Sequence, residues 1–292
     1  MKKVLLIGKT SQLGSELMKD AASFGFEIAG FKKDELDVTN QAQIVEKIKT
    51  VKPDILINTS AYHVVPMCEK NPLPAMDVNF IAVQNLARIC KEYNTAFVTY
   101  STDYVFDGKR DAPYEENDTP NPLQVYGMSK LAGEYAALHS YPDGTFIIRT
   151  CGLYGGLKGS PEKRGNFVLN ILQQVREDEK KEIEVISDQM VSPTYAGDLS
   201  KATFTLLKNK AEPGIYHLVN DGYCSWHEFA KEILKLAGID KKIKPIKTRN
   251  NNGILKRPKF SALKSAKAKV LGIKMPPWQE ALKYYINFLE NS

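Results

Sequence analysis

The first half of the chain alternates short apolar runs with longer amphipathic segments, and this alternation limits the fold more than any other feature. The apolar runs are rich in β-forming residues and predict strands at about 3–7, 27–31, 54–58, 95–100 and 145–149. The segments between them predict helices at about 12–24, 40–50, 76–93 and 126–140. Parallel strands need crossover connections of about a dozen residues. The order therefore predicts an α/β fold, a doubly wound parallel sheet with helices on both faces.

The pattern loosens from about residue 150. A long loop is predicted from Gly155 to Gly165, followed by helices at about 166–178 and 195–209. Another helix begins at Ser225, a possible N-cap, and a last one runs from Trp278 to Leu289. We expect residues 1–150 to form one domain, rejoined by about 188–210, and residues 151–292 to form mainly a smaller lobe that closes over the sheet.

The composition is that of a globular protein. Of 292 residues, 43% are hydrophobic and 25% are charged, and no stretch is apolar enough to cross a membrane. The four cysteines are widely spaced without a CxxC pair, which favours reduced thiols in a cytoplasmic protein. The four histidines have no metal-ligand spacing, so no metal site is predicted.

Positive charge is concentrated near the C-terminus. The net charge is +6, and residues 241–279 contain twelve Lys or Arg and no Asp or Glu. This segment is either a solvated basic face or a surface that attracts an anionic substrate such as a nucleotide diphosphate. Nucleic acid is a third interpretation, but only Phe260 and Trp278 supply aromatic rings there. No nucleic acid and no membrane are therefore predicted as partners.

A glycine-bearing turn follows the first predicted strand. Ligands of parallel sheets bind outside the carboxyl ends of the strands, so the residues at these ends are the first candidates for chemistry. Glycine lets the backbone approach a pyrophosphate, and the helix N-terminus that follows supplies free N–H groups. A plain strand-to-helix turn is the alternative, since Ser11 stands where a middle glycine is usual. The turn predicts a dinucleotide cofactor, with the candidate contacts Gly8, Ser11, Gln12, Leu13 and Gly14.

The second predicted strand continues into Lys32-Lys33. A carboxylate here would bind an adenosine 2′-hydroxyl, whereas basic residues suit a 2′-phosphate. The two lysines therefore favour NADPH as the cofactor, with NADH possible, although both could simply be solvated. Asp37 could accept a hydrogen bond from the adenine amine. The candidate contacts are Lys32, Asp37 and Val38.

The third and fourth predicted strands also end in residues suited to a binding cleft. The third ends in Asn58-Thr59-Ser60-Ala61-Tyr62, small residues that can pack against a dinucleotide, and Asn79 lies on the next helix. The fourth ends in Thr99-Tyr100-Ser101-Thr102-Asp103. A hydroxyl at Thr102 would face the same cleft. The candidate cofactor contacts here are Ala61, Tyr62, Asn79 and Ser101.

One of two Tyr-x-x-x-Lys pairs has a helical context. Tyr154/Lys158 lies in a glycine-rich stretch that cannot hold a helical face. Tyr126/Lys130 leads into a run of helix-forming residues, so both side chains share one face. A phenol beside an ammonium group is suited to proton transfer next to a hydride donor.

These motifs together resemble a known family. The glycine-bearing first turn, Ser101-Thr102-Asp103-Tyr104-Val105-Phe106-Asp107-Gly108 and Tyr126-Gly127-Met128-Ser129-Lys130 resemble the extended short-chain dehydrogenase/reductases. Further segments are similar, more narrowly, to the dTDP-4-dehydrorhamnose reductase family, and the resemblance covers nearly the whole chain. These segments are Arg149–Gly155, Asn166-Phe167, Asp188–Tyr195 with Asp198-Leu199, and Arg257–Leu263.

The resemblance implies a nicotinamide cofactor in a Rossmann domain and a C-terminal lobe that binds a nucleotide sugar. The implied reaction reduces the 4-keto group of dTDP-4-dehydro-L-rhamnose, with Thr102, Tyr126 and Lys130 as the catalytic triad. Lys130 is expected to lower the pKa of the Tyr126 phenol. The residues expected to contact the substrate are Thr102, Asp103, Val105, Asn166 and Arg257, the last of them at the diphosphate.

The chain departs from the family pattern mainly where substrate is held. Pro66 stands in a run that is usually Val-Asp-Lys, and Gly152 replaces a tryptophan that commonly follows the fifth strand. Some members form a metal-bridged dimer through a glutamate at the position of Glu16. A homodimer is possible here, without a predicted metal.

Other functions on the same scaffold remain open. These are a nucleotide-sugar reductase or epimerase of different sugar specificity, and a non-catalytic reductase-like regulatory protein. A dehydratase normally has an Asp-Glu pair beside the triad hydroxyl, and this chain has Asp103-Tyr104 there.

Overall fold

The computed structural model describes residues 1–156, 165–177, 182–248 and 255–291. The strands are β1 (Lys2–Ile7), β2 (Phe26–Phe31), β3 (Ile55–Asn58), β4 (Ala96–Thr102), β5 (Thr145–Thr150), β6 (Leu153–Tyr154), β7 (Glu182–Ile186), β8 (Met190–Val191), β9 (Thr194–Tyr195), β10 (Gly214–His217), β11 (Cys224–Ser225) and β12 (Lys242–Ile246). The helices are α1 (Gln12–Asp20), α2 (Gln41–Val51), α3 (Val65–Lys70), α4 (Pro72–Met76), α5 (Ala82–Glu92), α6 (Val125–Ser140), α7 (Phe167–Glu177), α8 (Ala196–Lys208), α9 (Trp226–Leu236), α10 (Ala266–Val270) and α11 (Trp278–Glu290).

The central sheet has six parallel strands in the order β2-β1-β3-β4-β5-β10. The chain runs outward from β1 to β2 and then returns past β1 to β3. This reversal is a topological switch point, where loops on the two sides diverge and leave a crevice at the carboxyl ends of the strands. The predicted doubly wound α/β fold is confirmed. The candidate residues follow the carboxyl ends of its strands, where this crevice lies.

Both faces of the sheet are covered, because alternate residues of each strand point to opposite sides. On one face, Val4 and Leu6 join a buried cluster that includes residues of α1 and α8. On the other face, Leu5 and Ile7 join a cluster with residues of α2, α5 and α6. Burial on both faces explains why the strands read as continuous apolar runs in the sequence.

The remaining elements form a second core beside the sheet. Side chains of α7, α9 and α11 pack with β7 and β9 into a third buried cluster. Between this lobe and the sheet lies a smaller cluster, which we call the seam cluster; it contains Val105, Phe106, Tyr114, Cys151, Val191, Val219 and Leu263. The seam cluster lies directly behind the loop that follows β4, so it supports one wall of the crevice.

The helix predicted at 76–93 is interrupted. Residues Asp77–Ile81 form one π-helical turn between α4 and α5. At this turn the carbonyl oxygen of Asn79 approaches α6 so closely that a Cβ at Gly133 would overlap it. Single π turns of this kind leave one extra residue in a helix and re-aim the side chains around it. Here the turn directs Asn79 towards the loop after β3.

The structure also adds a strand that the apolar pattern did not predict. β10 pairs with β5 and completes the sheet, and α8 packs against α1. A division of function at about residue 150, with a return at about 188–210, stays a prediction. Within the described ranges, none of the helices is both long and apolar enough to cross a bilayer. Most of the loop predicted at Gly155–Gly165, including Lys158, lies outside the described residues.

Candidate active site

The turn after β1 is built for close backbone approach. Gly8 has a φ of +88°, which favours glycine, and a Cβ at Gly14 would overlap the carbonyl oxygen of Gly8. The hydroxyl of Thr59, just after β3, donates to the carbonyl oxygens of Ile7 and Gly8. Ser11 caps α1 by accepting a hydrogen bond from the N–H of Gly14 at 2.9 Å. The turn therefore sits at the switch point with no side chain between the backbone and the crevice.

A surface pocket opens at the end of β2. It is lined by Thr10, Lys32, Lys33, Asp34 and Asp37, so two of the predicted cofactor contacts share it. Lys32 Nζ pairs with Asp34 at 2.7 Å, which leaves its charge partly compensated. Asp37 Oδ1 accepts hydrogen bonds from the N–H and hydroxyl of Thr39, and these bonds hold the pKa of its carboxyl below the usual value.

The predicted contacts of the first turn and second strand divide into two groups. The side chains of Leu13 and Val38 are buried in the sheet cores, so only their backbone atoms are free to meet a cofactor. By contrast, Gln12 Oε1 and Ser101 Oγ are buried polar atoms with no hydrogen-bond partner in the described part of the chain. Unpaired buried polar atoms are costly, so they indicate a polar partner at this place. These atoms, the bare turn and the β2 pocket fit an extended dinucleotide.

Asn79 holds the loop after β3 in place. Its side chain accepts from the N–H of Tyr62 and donates to the carbonyl oxygen of Tyr62, both at 2.9 Å. It also donates to Ser129 Oγ at 3.0 Å, which ties this loop to α6. Asn79 was predicted to contact the cofactor; in the structure it fixes the backbone of Ala61 and Tyr62, which line the same side of the crevice.

Three interactions place Tyr126 at the start of α6. The side chain of Gln124 caps the helix by accepting from the N–H of Gly127 at 2.6 Å. Glu69 on α3 accepts from the N–H of Val125 at 2.6 Å. A Cβ at Gly127 would overlap the carbonyl oxygen of Tyr104, so α6 reaches the β4 loop only because residue 127 is glycine. The predicted helical face then carries Tyr126 and Lys130 on successive turns.

Thr102 and Asp103 meet Tyr126 at the end of β4. Thr102 Oγ1 donates to Asp103 Oδ1 at 3.0 Å and accepts from the N–H of Tyr104 at 3.2 Å. Burial raises the pKa of the Asp103 carboxyl, and hydrogen bonds from Ser261, Cys151 and Thr102 oppose the rise. Asp103 was predicted to contact the substrate. Its carboxyl accepts hydrogen bonds from Thr102, Ser261 and Cys151, and a contact with the substrate stays a prediction.

The pKa of Tyr126 moves opposite to the expected direction. Burial raises it, the charge of Asp103 raises it further, and a hydrogen bond with Thr102 opposes the rise. Burial and Asp103 thus set the direction of the shift, and the expected effect of the Lys130 ammonium group on this pKa stays a prediction. A raised pKa keeps the phenol protonated, as a proton donor must be.

Lys130 is itself buried, and burial lowers its pKa to about 8, while the negative charge of Glu134 opposes this. Glu134 lies one turn further along α6 and is bound by Arg149 of β5. Arg149 Nε donates to both carboxylate oxygens at 3.0 and 3.1 Å, and a second guanidinium nitrogen donates to one of them at 2.6 Å. A fully buried ion pair therefore stands behind Lys130.

The basic C-terminal segment reaches this site through Arg257. Its positive charge lies near enough to the phenol of Tyr104 to oppose the rise in the pKa of Tyr104 that burial causes. The Tyr104 ring in turn meets the Tyr126 ring edge-on, with centroids 6.1 Å apart. Elsewhere the segment is partly neutralised, since Lys244 pairs with Glu184 and Lys264 with Glu115. Arg249 and its neighbours to residue 254 lie outside the described residues.

Two predicted substrate contacts have other roles. Val105 is fully buried in the seam cluster, so only its backbone is left for the predicted contact with substrate, which stays a prediction. The amide of Asn166 donates to the carbonyl oxygen of Gly155 and the hydroxyl of Tyr285, and its oxygen accepts from the N–H of Leu169. Asn166 thus starts α7 and ties it to α11, and its side chain is committed to the protein.

Several supporting residues were not predicted. They are Glu69, Gln124, Glu134, Arg149, Cys151 and Ser261. Two of these contacts have a local signal, since Gln124 caps the N–H of Gly127 three residues later and Glu134 follows Lys130 by one helical turn. The other contacts join segments far apart in the sequence, and no spacing rule connects them.

The acidic, histidine and cysteine side chains bear on two further predictions, metal binding and disulfide formation. In the described ranges there is no group of three or more His, Cys, Asp or Glu that could hold a metal ion. Glu16, at the position where some relatives bridge a dimer, is buried, and burial raises its pKa. The four cysteines are buried free thiols.

Comparison with known proteins gives consistent matches along the chain. The family model described as RmlD substrate binding domain matches residues 1–291. The chain is 35% identical to the spore coat polysaccharide biosynthesis protein SpsK of Bacillus subtilis, over 98% of this chain and 97% of that protein. It is 34% identical to the dTDP-4-dehydrorhamnose reductase of Escherichia coli, over 98% of this chain and 97% of that protein.

A solved structure matches equally well. The crystal structure of dTDP-4-dehydrorhamnose reductase from Bacillus anthracis, in complex with NADP, has a TM-score of 0.90 and 34% identity, and the match covers 99% of each chain. The strand order, the glycine turn and the triad positions described above are thus found in a chain with extensive similarity to this reductase.

Proposed function

This chain belongs to the RmlD substrate binding domain family, and from that premise we propose that it reduces the 4-keto group of a nucleotide-linked 6-deoxyhexose, dTDP-4-dehydro-L-rhamnose, to the alcohol dTDP-L-rhamnose. It is an oxidoreductase of Rossmann type. The observation that carries the proposal is the contact of Thr102, at the carboxyl end of β4, with Tyr126, which lies one helical turn before the buried Lys130 on α6. A nucleotide sugar is the substrate class named by its reductase relatives.

The cofactor is NADPH, with NADH possible. The similar Bacillus anthracis reductase is in complex with NADP, and the β2 pocket of this chain contains Lys32 and Lys33. We place the pyrophosphate at Gly8, Ser11 and Gly14, and the adenosine end in the pocket of Lys32 and Asp37. When bound, the cofactor supplies the hydride for the ketone carbon.

Tyr126 supplies the proton that the reduced oxygen needs. Its raised pKa keeps the phenol in the donor form, and the pKa falls when a positive charge comes near. Thr102 holds the ketone oxygen beside Tyr126 by donating a hydrogen bond to it, which is a positioning and electrostatic role. To donate to the ketone oxygen, the Thr102 hydroxyl must turn away from Asp103, whose Oδ1 accepts its hydrogen bond at 3.0 Å in the structure. Rotation of the Thr102 hydroxyl redirects its proton from Asp103 to the ketone oxygen.

Lys130 provides positive charge one helical turn from Tyr126. The ammonium group stabilises the phenolate left after proton transfer and is suited to hold a ribose hydroxyl of the cofactor. The Glu134–Arg149 ion pair fixes the position of this turn of α6. Thr102, Tyr126 and Lys130 thus supply one orienting hydroxyl, one proton donor and one cation, and the Glu134–Arg149 pair supports the helix that carries the last two.

The function is tested by following NADPH and NADH oxidation with a panel of nucleotide 4-keto-6-deoxy sugars. We expect loss of NADPH absorbance with dTDP-4-dehydro-L-rhamnose and formation of one equivalent of dTDP-L-rhamnose. An epimerase would change the sugar without net NADPH loss, and a regulatory protein would bind the cofactor without turnover. Either result would contradict the proposal.

Activity is expected to fall as pH rises through about 8, because burial lowers the pKa of Lys130 to about 8. Below this pH the side chain is an ammonium ion, and above it the charge that stabilises the phenolate is lost. Tyr126 does not titrate in the same range, since its pKa is raised. The measurement is the pH profile of kcat/KM for the wild type and Lys130→Arg. Arginine stays charged, so the fall should disappear in the variant; a flat wild-type profile would contradict the assignment.

Arg257→Ala is expected to raise the KM for the nucleotide sugar by roughly ten- to a hundredfold, because a hydrogen bond to a charged group contributes about 1.5–3 kcal/mol. The change in kcat should be much smaller, since the diphosphate does not react. Lys256→Ala is the matched control, because Lys256 is an exposed neighbour with the same charge. Equal KM values for the two variants would refute a diphosphate contact at Arg257.

We also propose how the two parts of the chain divide the binding functions, where the protein is located and that it can form a homodimer. The domain formed by residues 1–150, rejoined by about 188–210, binds the cofactor, and the lobe formed by residues 151–292 binds the sugar nucleotide. The four free cysteines support a cytoplasmic location. A homodimer is compatible with the exposed Met18 and Tyr284 side chains.

A further inference from the structure

Gly152, two residues after β5, lies close to the indole ring of Trp226. Gly152 follows the carboxyl end of β5 with a φ of +55°. A Cβ placed there would lie 3.5 Å from Cη2 of Trp226 and 3.2 Å from the Cα of Pro193. The six-membered ring of the indole therefore lies against the backbone of residue 152, where glycine presents no side chain to it.

Trp226 is held firmly in this position. It is the first residue of α9, behind a capping box in which Ser225 and Glu228 each bond the other's backbone N–H. Its ring packs on Phe167, with centroids 4.5 Å apart, and it also contacts the seam cluster. The side chain is only partly buried. A partly exposed aromatic ring that its neighbours hold in place is suited to bind the apolar face of a ligand.

The indole is close to the reacting end of the site. Cys151, the neighbour of Gly152, is a buried member of the seam cluster, and its thiol hydrogen-bonds the Asp103 carboxyl. That carboxyl accepts from Thr102 Oγ1 at 3.0 Å. Trp226 is therefore separated from the hydroxyl that orients the ketone by a short chain of contacts. The diphosphate contact proposed for Arg257 belongs to the other end of the substrate.

We propose that Trp226 binds the hexose of the nucleotide sugar and helps to select a 6-deoxy sugar. The inference rests on the proposed function, because it requires a nucleotide-sugar substrate. A 6-deoxyhexose has an apolar face of C–H groups and a methyl group in place of a hydroxymethyl, and such a face packs well on an indole ring. The protein supplies this ring from the first residue of α9.

Fluorescence of single-tryptophan variants tests the contact, since the chain has two tryptophans. Trp278→Phe leaves Trp226 as the emitter, and Trp226→Phe leaves Trp278, which is 7% exposed in the lobe core. In the NADP-bound protein, titration with dTDP-L-rhamnose should change the emission of Trp278→Phe saturably, whereas dTDP alone should not. Trp226→Phe, the matched control, should respond to neither.

Kinetics give a second measurement that does not depend on emission. Trp226→Leu should lower kcat/KM for the keto sugar by about five- to tenfold, the size of one lost aromatic contact. The KM for NADPH should not change. Thermal unfolding of the wild type and Trp226→Leu shows whether the substitution destabilises the fold. If it does, the emission titration of Trp278→Phe provides the test of the contact.

The outcomes separate this inference from the proposed function. Calorimetric binding of dTDP-L-rhamnose without a change in Trp226 emission would overturn the role of Trp226 and leave the reductase assignment standing. An equal response to dTDP would place Trp226 at the nucleotide and also overturn it. Failure of the wild type to bind dTDP-L-rhamnose or to reduce any keto sugar would overturn the proposed function, and this inference with it.

Discussion

Tyr126→Phe is expected to lower kcat by roughly a hundred- to ten-thousandfold, the contribution typical of one positioned general acid. The substitution removes only the hydroxyl, so the ring still meets Tyr104 edge-on and α6 keeps its cap. Cofactor affinity should change little, because the turn at Gly8 and the β2 pocket are far along the crevice. The measurements are kcat for the keto sugar and the Kd of NADPH by fluorescence.

Tyr135→Phe is the matched control for this experiment. Tyr135 is on the same helix but is 57% exposed, so loss of its hydroxyl should leave kcat unchanged. If Tyr126→Phe kept near-wild-type turnover, Tyr126 would not be the proton donor. If it lost NADPH binding as well as turnover, the side chain would act in cofactor binding rather than in proton transfer alone.

Glu134→Ala is expected to lower the free energy of unfolding by about 3–5 kcal/mol, because it leaves the buried guanidinium of Arg149 without its counter-charge. Both side chains are only 1% exposed, so water cannot replace the lost partner. Arg149 Nη1 already has no hydrogen-bond partner in the described ranges, and the loss would leave the whole cation unpaired. The measurement is the urea midpoint and slope of the wild type and variant.

Two controls distinguish burial from charge. Glu232→Ala removes an exposed partner of Lys235 and should cost less than about 1 kcal/mol. The double variant Glu134→Leu with Arg149→Met should recover most of the loss, since replacing a buried ion pair by apolar side chains of similar volume is often neutral. A loss in Glu134→Ala no larger than in Glu232→Ala would contradict this account of the pair.

Much of the fold could be predicted from local patterns. The apolar runs of β1 to β5 are continuous because both faces of the sheet are covered, and this is a pattern visible in sequence. The glycine turn and the Tyr126/Lys130 pair could be found because each depends on neighbours within one or two turns of chain. β10 was missed because its residues Gly214–His217 include a glycine and a histidine and so form no continuous apolar run, unlike the equally short β3.

The supporting shell of the site could not be predicted in the same way. Val105 and Asn166 are in suitable segments, but whether a side chain faces a cleft or a core depends on what packs against it. The direction of the Tyr126 pKa depended on burial, which no spacing reveals. Trp226 lies beside Gly152, although the two residues are 74 positions apart in the sequence.

By itself, the sequence determined the kinds of element, their order and the residues that one helix presents on one face, because these follow from the periods of strands and helices. It also determined the family, because several motifs occur in a fixed order along the whole chain. Only the tertiary structure decided that Arg149 binds Glu134 behind Lys130, that Asp103 turns to Thr102, and that an indole from the lobe faces Gly152. These contacts join distant segments, and packing of the whole chain is what brings them together.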